Sequence, residues 1–198
     1  MSSNASRIYT KTGDDGTTGR LFGGRVGKDD ALVEACGDID EAVAALGLAR
    51  AELAADSGGD PRDGAGASEL AGLVLTTQRQ LFVLAADLMA NPHSRDRLEP
   101  GISLADADLV TEIERAIDRL VADHPLRPVF IVPGATRASA ALDIARGVVR
   151  RAERHTVAAA RAGHPVSDPV LLALNRMSDL LFVLARASAG DAEAPSHD

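Results

Sequence analysis

Two stretches of this chain group side chains suited to holding a polyanion. The first, Tyr9-Thr10-Lys11-Thr12-Gly13-Asp14-Asp15-Gly16-Thr17-Thr18, sets a cation, threonine hydroxyls and two glycines within ten residues. Glycine lets backbone N–H groups approach an anion closely, and Lys11 and the threonines add donors. Arg25 and Lys28 follow with further charge. No Gly-Lys-Ser/Thr stands at the required spacing, so this is not a Walker A loop. Read from chemistry alone, a plain turn-rich loop accounts for it too. The second stretch carries Arg146, Arg150, Arg151 and Arg154 with Glu153 among them. On a helix advancing about 100° per residue, Arg150, Glu153 and Arg154 fall within roughly 80° of Arg146. Ser139 and Asp143 share that arc, and Ala141, Ala145, Val148, Val149 and Ala152 lie opposite. A solvated charged face is one explanation. Arginine's planar fork, concentrated in an acidic chain, gives another: bidentate contact with phosphate or carboxylate. Glu153 can then orient a guanidinium or help hold a divalent cation. Asn175, Asp179 and Arg186 share a later helical stripe, where Asn175 suits either a ligand contact or a satisfied helix–helix contact.

Helices must position these groups. Leu32, Val33, Cys36, Ile39, Val43 and Leu46 recur at three- and four-residue steps and predict a helix over 30–55. Residues 56–67 are rich in Gly, Pro and Asp and read as a mobile surface loop. A second helix is expected from Ser68, as N-cap, to Met89, closed by Asn91-Pro92. Ser103 with Asp106 resembles a capping box opening a third helix that ends near Asp123. Residues 130–134 read as extended, since Pro133 discourages helix before it. A fourth helix is expected over 136–162 and a fifth from Ser167 or Asp168 to Ala187. The fold class is therefore all-α: one domain with an irregular arm (7–29), a five-helix up-down bundle (30–187) and a disordered tail (188–198).

Composition bounds the function. The 198 residues are 45% hydrophobic but 3% aromatic, with no Trp, so the core is built from Ala, Leu and Val, which suits helix packing. A formal charge of −8 argues against a nucleic-acid partner and makes any anion site a local concentration of positive charge. Cys36, the one cysteine, excludes an intrachain disulfide and a cysteine zinc cluster. No apolar run approaches the ~20 residues of a membrane span. The MSSNASR start lacks a signal-peptide core, and a cytoplasmic location is expected.

Taken in order, these segments resemble the PduO-type ATP:cob(I)alamin adenosyltransferases. The matching runs are 8–14 with Gly16-Thr17-Thr18, Leu21-Phe22-Gly23-Gly24, 25–30, Asp40-Glu41 with Ala45-Leu46-Gly47, and 130–134. The strongest are Ala145-Arg146 through Arg150-Arg151-Ala152-Glu153-Arg154, and 174–182 around Asn175. The resemblance implies a homotrimer of five-helix bundles, with ATP between the arm of one subunit and the arginine helix of the next. It implies ATP contacts from Thr10, Lys11, Thr12, Gly13, Thr18, Lys28, Arg150, Arg151, Glu153, Arg154 and Asn175, with Glu153 acting through Mg²⁺. It further implies that Arg146 pairs with Asp40 across the interface near cobalamin, and that Phe130 covers the lower face of the corrin ring. Arg146, Arg150, Asp40 and Phe130 are then the catalytic set. A corrinoid reductase and an adenosylcobalamin-dependent mutase or dehydratase are the implied partners.

The chain departs from the family pattern at Ala42-Val43, where relatives carry Leu-Asn, and at Ala135 and Gly19. Asp143 stands in the register of a family histidine, one turn from Arg146, and is expected to compete with Asp40 for it. These departures keep open a second reading, a paralogue that binds ATP or corrinoid as a carrier or sensor.

Overall fold

The computed structural model describes residues 8–56 and 61–197. Five α-helices form the body: α1 (Ala31–Asp56), α2 (Pro61–Leu88), α3 (Ala107–Asp123), α4 (Arg137–Arg161) and α5 (Asp168–Ala189). The arm carries a hairpin, β1 (Thr17–Gly19) with β2 (Arg25–Gly27). A second small ladder joins β3 (Ile131–Val132) to β4 (Ala194–Pro195). Two 3₁₀ turns, η1 (Pro92–Arg97) and η2 (Gly190–Ala192), complete the order. No helix among the described residues is long and apolar enough to cross a membrane.

Helix α4 packs on both α1 and α5, α2 on α1 and α5, and α3 on α5. Its buried face is built largely of small side chains, Ala138, Ala141, Ala145, Val148, Val149, Ala152 and Ala159, which lets two neighbours approach it closely. Leu32, Ile39, Leu46, Leu81, Leu142, Leu174 and Leu181 are fully buried around it. Each such leucine or isoleucine stabilises the fold by about 2 kcal/mol relative to exposure. The aromatic-poor composition thus yields a helical core, as expected. Asp30 Oδ1 caps α1 by accepting from Leu32 N–H at 2.9 Å. A reciprocal capping box between Thr136 and Ser139 opens α4, which explains why Ser139 is buried although it shares the arginine arc.

Three expectations change. Helix α2 begins at Pro61 rather than Ser68, so 61–67 is helix; residues 57–60 of the expected loop lie outside the described residues. Pro61 suits a first helical turn, where its missing N–H has no partner to lose. Helix α3 is capped by Asp106, which accepts from Leu109 N–H at 2.9 Å. Ser103 Oγ instead accepts from Glu99 N–H in the preceding turn. The tail does not run free over 190–197: it forms η2 and pairs β4 with β3.

Candidate active site

The arm is stitched by its own side chains. Arg25 donates from Nε to Thr17 Oγ1 at 2.7 Å and from Nη2 to the Thr12 carbonyl. Lys28 Nζ donates to the Gly13 carbonyl at 2.9 Å, and the Thr10 and Thr12 hydroxyls lie 2.8 Å apart. A Cβ at Gly13 would meet the Thr17 carbonyl at 3.0 Å and Lys28 Nζ at 3.3 Å, so the loop closes this tightly only on glycine. Lys11 holds φ 60, a left-handed conformation that costs a lysine of order 1 kcal/mol. Asp15 accepts from the Thr17 hydroxyl and the Thr17 N–H, and lies 3.5 Å from Arg25. Those Thr17 bonds, with Arg25 adding less, hold its carboxyl below the ordinary value. Thr10, Lys11, Thr12 and Lys28 are exposed, and Gly13 and Thr18 are half-buried.

The arm rests on the corner beyond α2. Leu21 N–H donates to Met89 C=O, Asn91 N–H donates to Leu21 C=O, and Asn91 Nδ2 donates to Gly23 C=O at 3.0 Å. Arg97 lies over the Phe22 ring at 4.3 Å. Asp87, fully buried, fixes this corner by accepting from Arg95 Nη2 at 2.6 Å and from Ala105 N–H at 3.0 Å.

Adjacent arginines on α4 have different surroundings. Arg151 is turned to α1, where its Nε donates to Asp38 Oδ1 at 2.8 Å and its Nη2 meets Glu41. The Asp38 hydrogen bond chiefly raises its pKa above the ordinary value. His155 Nδ1 stands 2.6 Å from the other Asp38 oxygen. Arg151 is therefore committed to α1 within its own subunit and does not share a face with Arg150. Arg150 is exposed, and among the described residues its guanidinium has no hydrogen bond or ion pair. Arg154 is exposed also, with Nη1 donating to the Arg150 carbonyl. Glu153, one turn from Arg150, is half-buried; its Oε1 accepts from Asn175 Nδ2 at 3.1 Å. Asn175 Oδ1 accepts from Arg176, which in turn donates to Glu114 on α3. Helices α4 and α5 thus bring Arg150, Glu153, Arg154 and Asn175 to one place.

Other expected residues are not joined within the chain. No hydrogen bond or ion pair among the described residues links the arm to Arg150, Glu153 or Asn175, or Asp40 to Arg146. Asp40 is exposed on α1. Arg146 is half-buried, its guanidinium 5.5 Å from the Phe182 ring centroid and its Nε buried without a hydrogen-bond partner. Asp143 does not compete for Arg146: its Oδ2 accepts from Arg186 Nη2 at 2.5 Å. Arg186 is accordingly turned inward, whereas Asp179 on the same stripe is exposed. Val43 packs half-buried against the core, while its carbonyl accepts from Gln78. Phe130 is 85% exposed.

Asp38 and Asp87 escaped the sequence reading. Each left one signal: a charged residue in the register of a buried apolar stripe. Asp38 sits between Ala35 and Ala42, and Asp87 beside Leu84 and Leu88.

Comparisons with known proteins give the family. A family model described as cobalamin adenosyltransferase matches residues 8–188. A corrinoid adenosyltransferase of Bacillus subtilis is 39% identical over 192 residues, covering 94% of this chain and 91% of that one. Another, from Mycobacterium bovis, is 39% identical over 195 residues, covering 98% and 94%. Among solved structures, a variant PduO-type ATP:corrinoid adenosyltransferase from Lactobacillus reuteri complexed with cobalamin and ATP superposes with a TM-score of 0.75 at 29% identity, covering 92% and 91%. With arm, arginine helix and bundle all inside the matched span, the chain belongs to the cobalamin adenosyltransferase family.

Proposed function

We propose that this protein transfers the 5′-deoxyadenosyl group of ATP to the cobalt of cob(I)alamin, forming adenosylcobalamin and releasing triphosphate. The observation that carries the reading is the exposed, unpaired Arg150 guanidinium beside the Glu153–Asn175 contact, in a chain of net charge −8. Such a group attracts a polyanion locally, in a chain whose net charge opposes one.

Cob(I)alamin is itself a strong nucleophile, so no general base is needed. The cobalt electron pair forms the Co–C5′ bond as the C5′–O bond breaks, and those electrons leave on triphosphate. The protein's contribution is alignment and stabilisation of the leaving charge. Lys11, Lys28, Arg150 and Arg154 stabilise the triphosphate, with Thr10, Thr12, Gly13 and Thr18 lining it. Arg151 serves this site indirectly, by locking α4 to α1. Glu153 fits a Mg²⁺-associated role, since Oε2 stays free while Oε1 holds Asn175. Held there, Mg²⁺ would offset the charge of the triphosphate. Arg146, Asp40 and Phe130 form the corrinoid side. Phe130 excludes a lower axial ligand, which eases reduction of cobalt.

The working form is a cytoplasmic homotrimer with each site shared by two subunits. The lack of a hydrogen bond or ion pair between arm and arginine helix among the described residues supports this reading, as do exposed Phe82, Ile144, Leu48 and Leu172 on the bundle. A corrinoid reductase supplies the electron, and a mutase or dehydratase that uses adenosylcobalamin receives the product.

The test is direct. Protein, ATP, Mg²⁺ and chemically reduced cobalamin should give the absorbance change of Co–C bond formation. Arg150→Ala should remove turnover with helical content retained. Tight binding without turnover in the unsubstituted chain would favour a carrier instead.

A further inference from the structure

Phe130 stands on a thinly packed segment: it is 85% exposed, and Val129 and Val132 are 46% and 50% exposed. A ring so placed returns little of the ~2–3 kcal/mol that a buried phenylalanine contributes, so packing does not hold it. Backbone does. Ser196 N–H donates to the Phe130 carbonyl at 2.7 Å. Strand β4 pairs antiparallel with β3, Ala194 opposite Val132 and Pro195 opposite Ile131. Arg127 Nη1 donates to the Glu193 carbonyl at 3.1 Å.

The strap that supplies these bonds, 190–197, is itself exposed except at one side chain. The Glu193 carboxylate meets Arg186 Nε, and the same guanidinium bonds Asp143. The Glu193, Arg186 and Asp143 side chains are 6%, 8% and 11% exposed. At such burial charge pairs are weakly screened, and the strap is fixed to α4 and α5 through this point. Arg186 also lies 5.1 Å from the Phe182 ring centroid, whose other guanidinium neighbour is Arg146. The anchor and the corrinoid-side arginine thus flank one ring.

We infer that Glu193 is a positioning residue for the corrinoid: docked on Arg186, it fixes the C-terminal strap, and the strap fixes Phe130. This rests on the assignment of Phe130 to the corrin ring given above. Glu193 touches no substrate and acts through the β3–β4 ladder.

The test compares Glu193→Ala, Ser196→Pro and Phe130→Ala with the unsubstituted chain, varying ATP and cob(I)alamin separately. Electron paramagnetic resonance of bound cob(II)alamin, with ATP present, reports through nitrogen superhyperfine splitting whether an axial base is retained. Glu193→Ala leaves Arg186 paired with Asp143, and Ser196→Pro removes one exposed N–H without touching the core. Both are expected to raise KM for the corrinoid about tenfold, leave KM for ATP unchanged, and increase the axially ligated fraction. Phe130→Ala should do the same. If Phe130→Ala moves these readouts while both strap variants leave them unchanged, the strap proposal is overturned and the Phe130 assignment stands. If Phe130→Ala also leaves them unchanged, the assignment fails and the proposal falls with it.

Discussion

Cys36 shows how a single residue ties stability to pH. Its thiol sits against α2, with Sγ 3.8 Å from the Ala85 carbonyl. Burial, with the charge of Asp40 adding to it, pushes the thiol up to about 12 from an ordinary 9.0. Folding therefore favours the protonated form. The associated stability is complete below pH 9 and declines as pH rises toward 12. Between pH 8 and 10 the unfolded thiol ionises and the folded one does not, which costs about 1.4 kcal/mol. Urea unfolding should show the native chain losing that much more than Cys36→Ala over the same interval; parallel curves would refute the burial argument. The neighbouring arginines make the same point about context. Arg150 and Arg151 differ by one position, yet one faces solvent and the other is held by Asp38 and Glu41. A 100° step around the helix separates a solvent-facing charge from a structural one.

At the scale of elements, the arm is only as well placed as the corner that carries it. That corner depends on Asp87, which binds η1 through Arg95 and the start of α3 through Ala105. Arg95→Ala leaves a buried carboxylate without its cation and should lower stability by roughly 3 kcal/mol. It should also weaken ATP binding more than corrinoid binding, read by denaturation and titration calorimetry. Unaltered ATP affinity in the folded variant would show that the arm is held elsewhere. The helices themselves were legible because apolar side chains recur at 3.6-residue spacing, as in Leu32, Ile39 and Leu46. The start of α2 was not, because Gly64, Gly66 and Pro61 mark turns locally while packing further along carries the helix through them. The tail was misread for a related reason. Its order depends on Glu193 reaching Arg186 and β4 reaching β3, contacts across the fold that no local pattern encodes. The arm and the arginine helix were visible as chemistry, but Asp38 and Asp87 were hidden inside apolar stripes.

At the scale of the whole molecule, the proposed trimer brings the two halves of the proposed ATP site together. In the proposed head-to-tail ring, each site would take its arm from one subunit and its arginine helix from the next. Lys28→Ala and Arg150→Ala should each be inactive, for opposite halves of the site. Unfolded together at equal amounts and refolded, they should recover about a quarter of native activity, since random assembly gives one site in four both intact halves. No recovery would place both halves within one chain. The arm's composition has one more consequence, for how such experiments are read. The chain has no tryptophan and a single tyrosine, Tyr9, which stands 64% exposed next to Thr10 at the mouth of the phosphate loop. Ultraviolet emission from the unlabelled protein therefore comes almost wholly from that one ring. It is an intrinsic fluorescent reporter located where the nucleotide is expected to arrive.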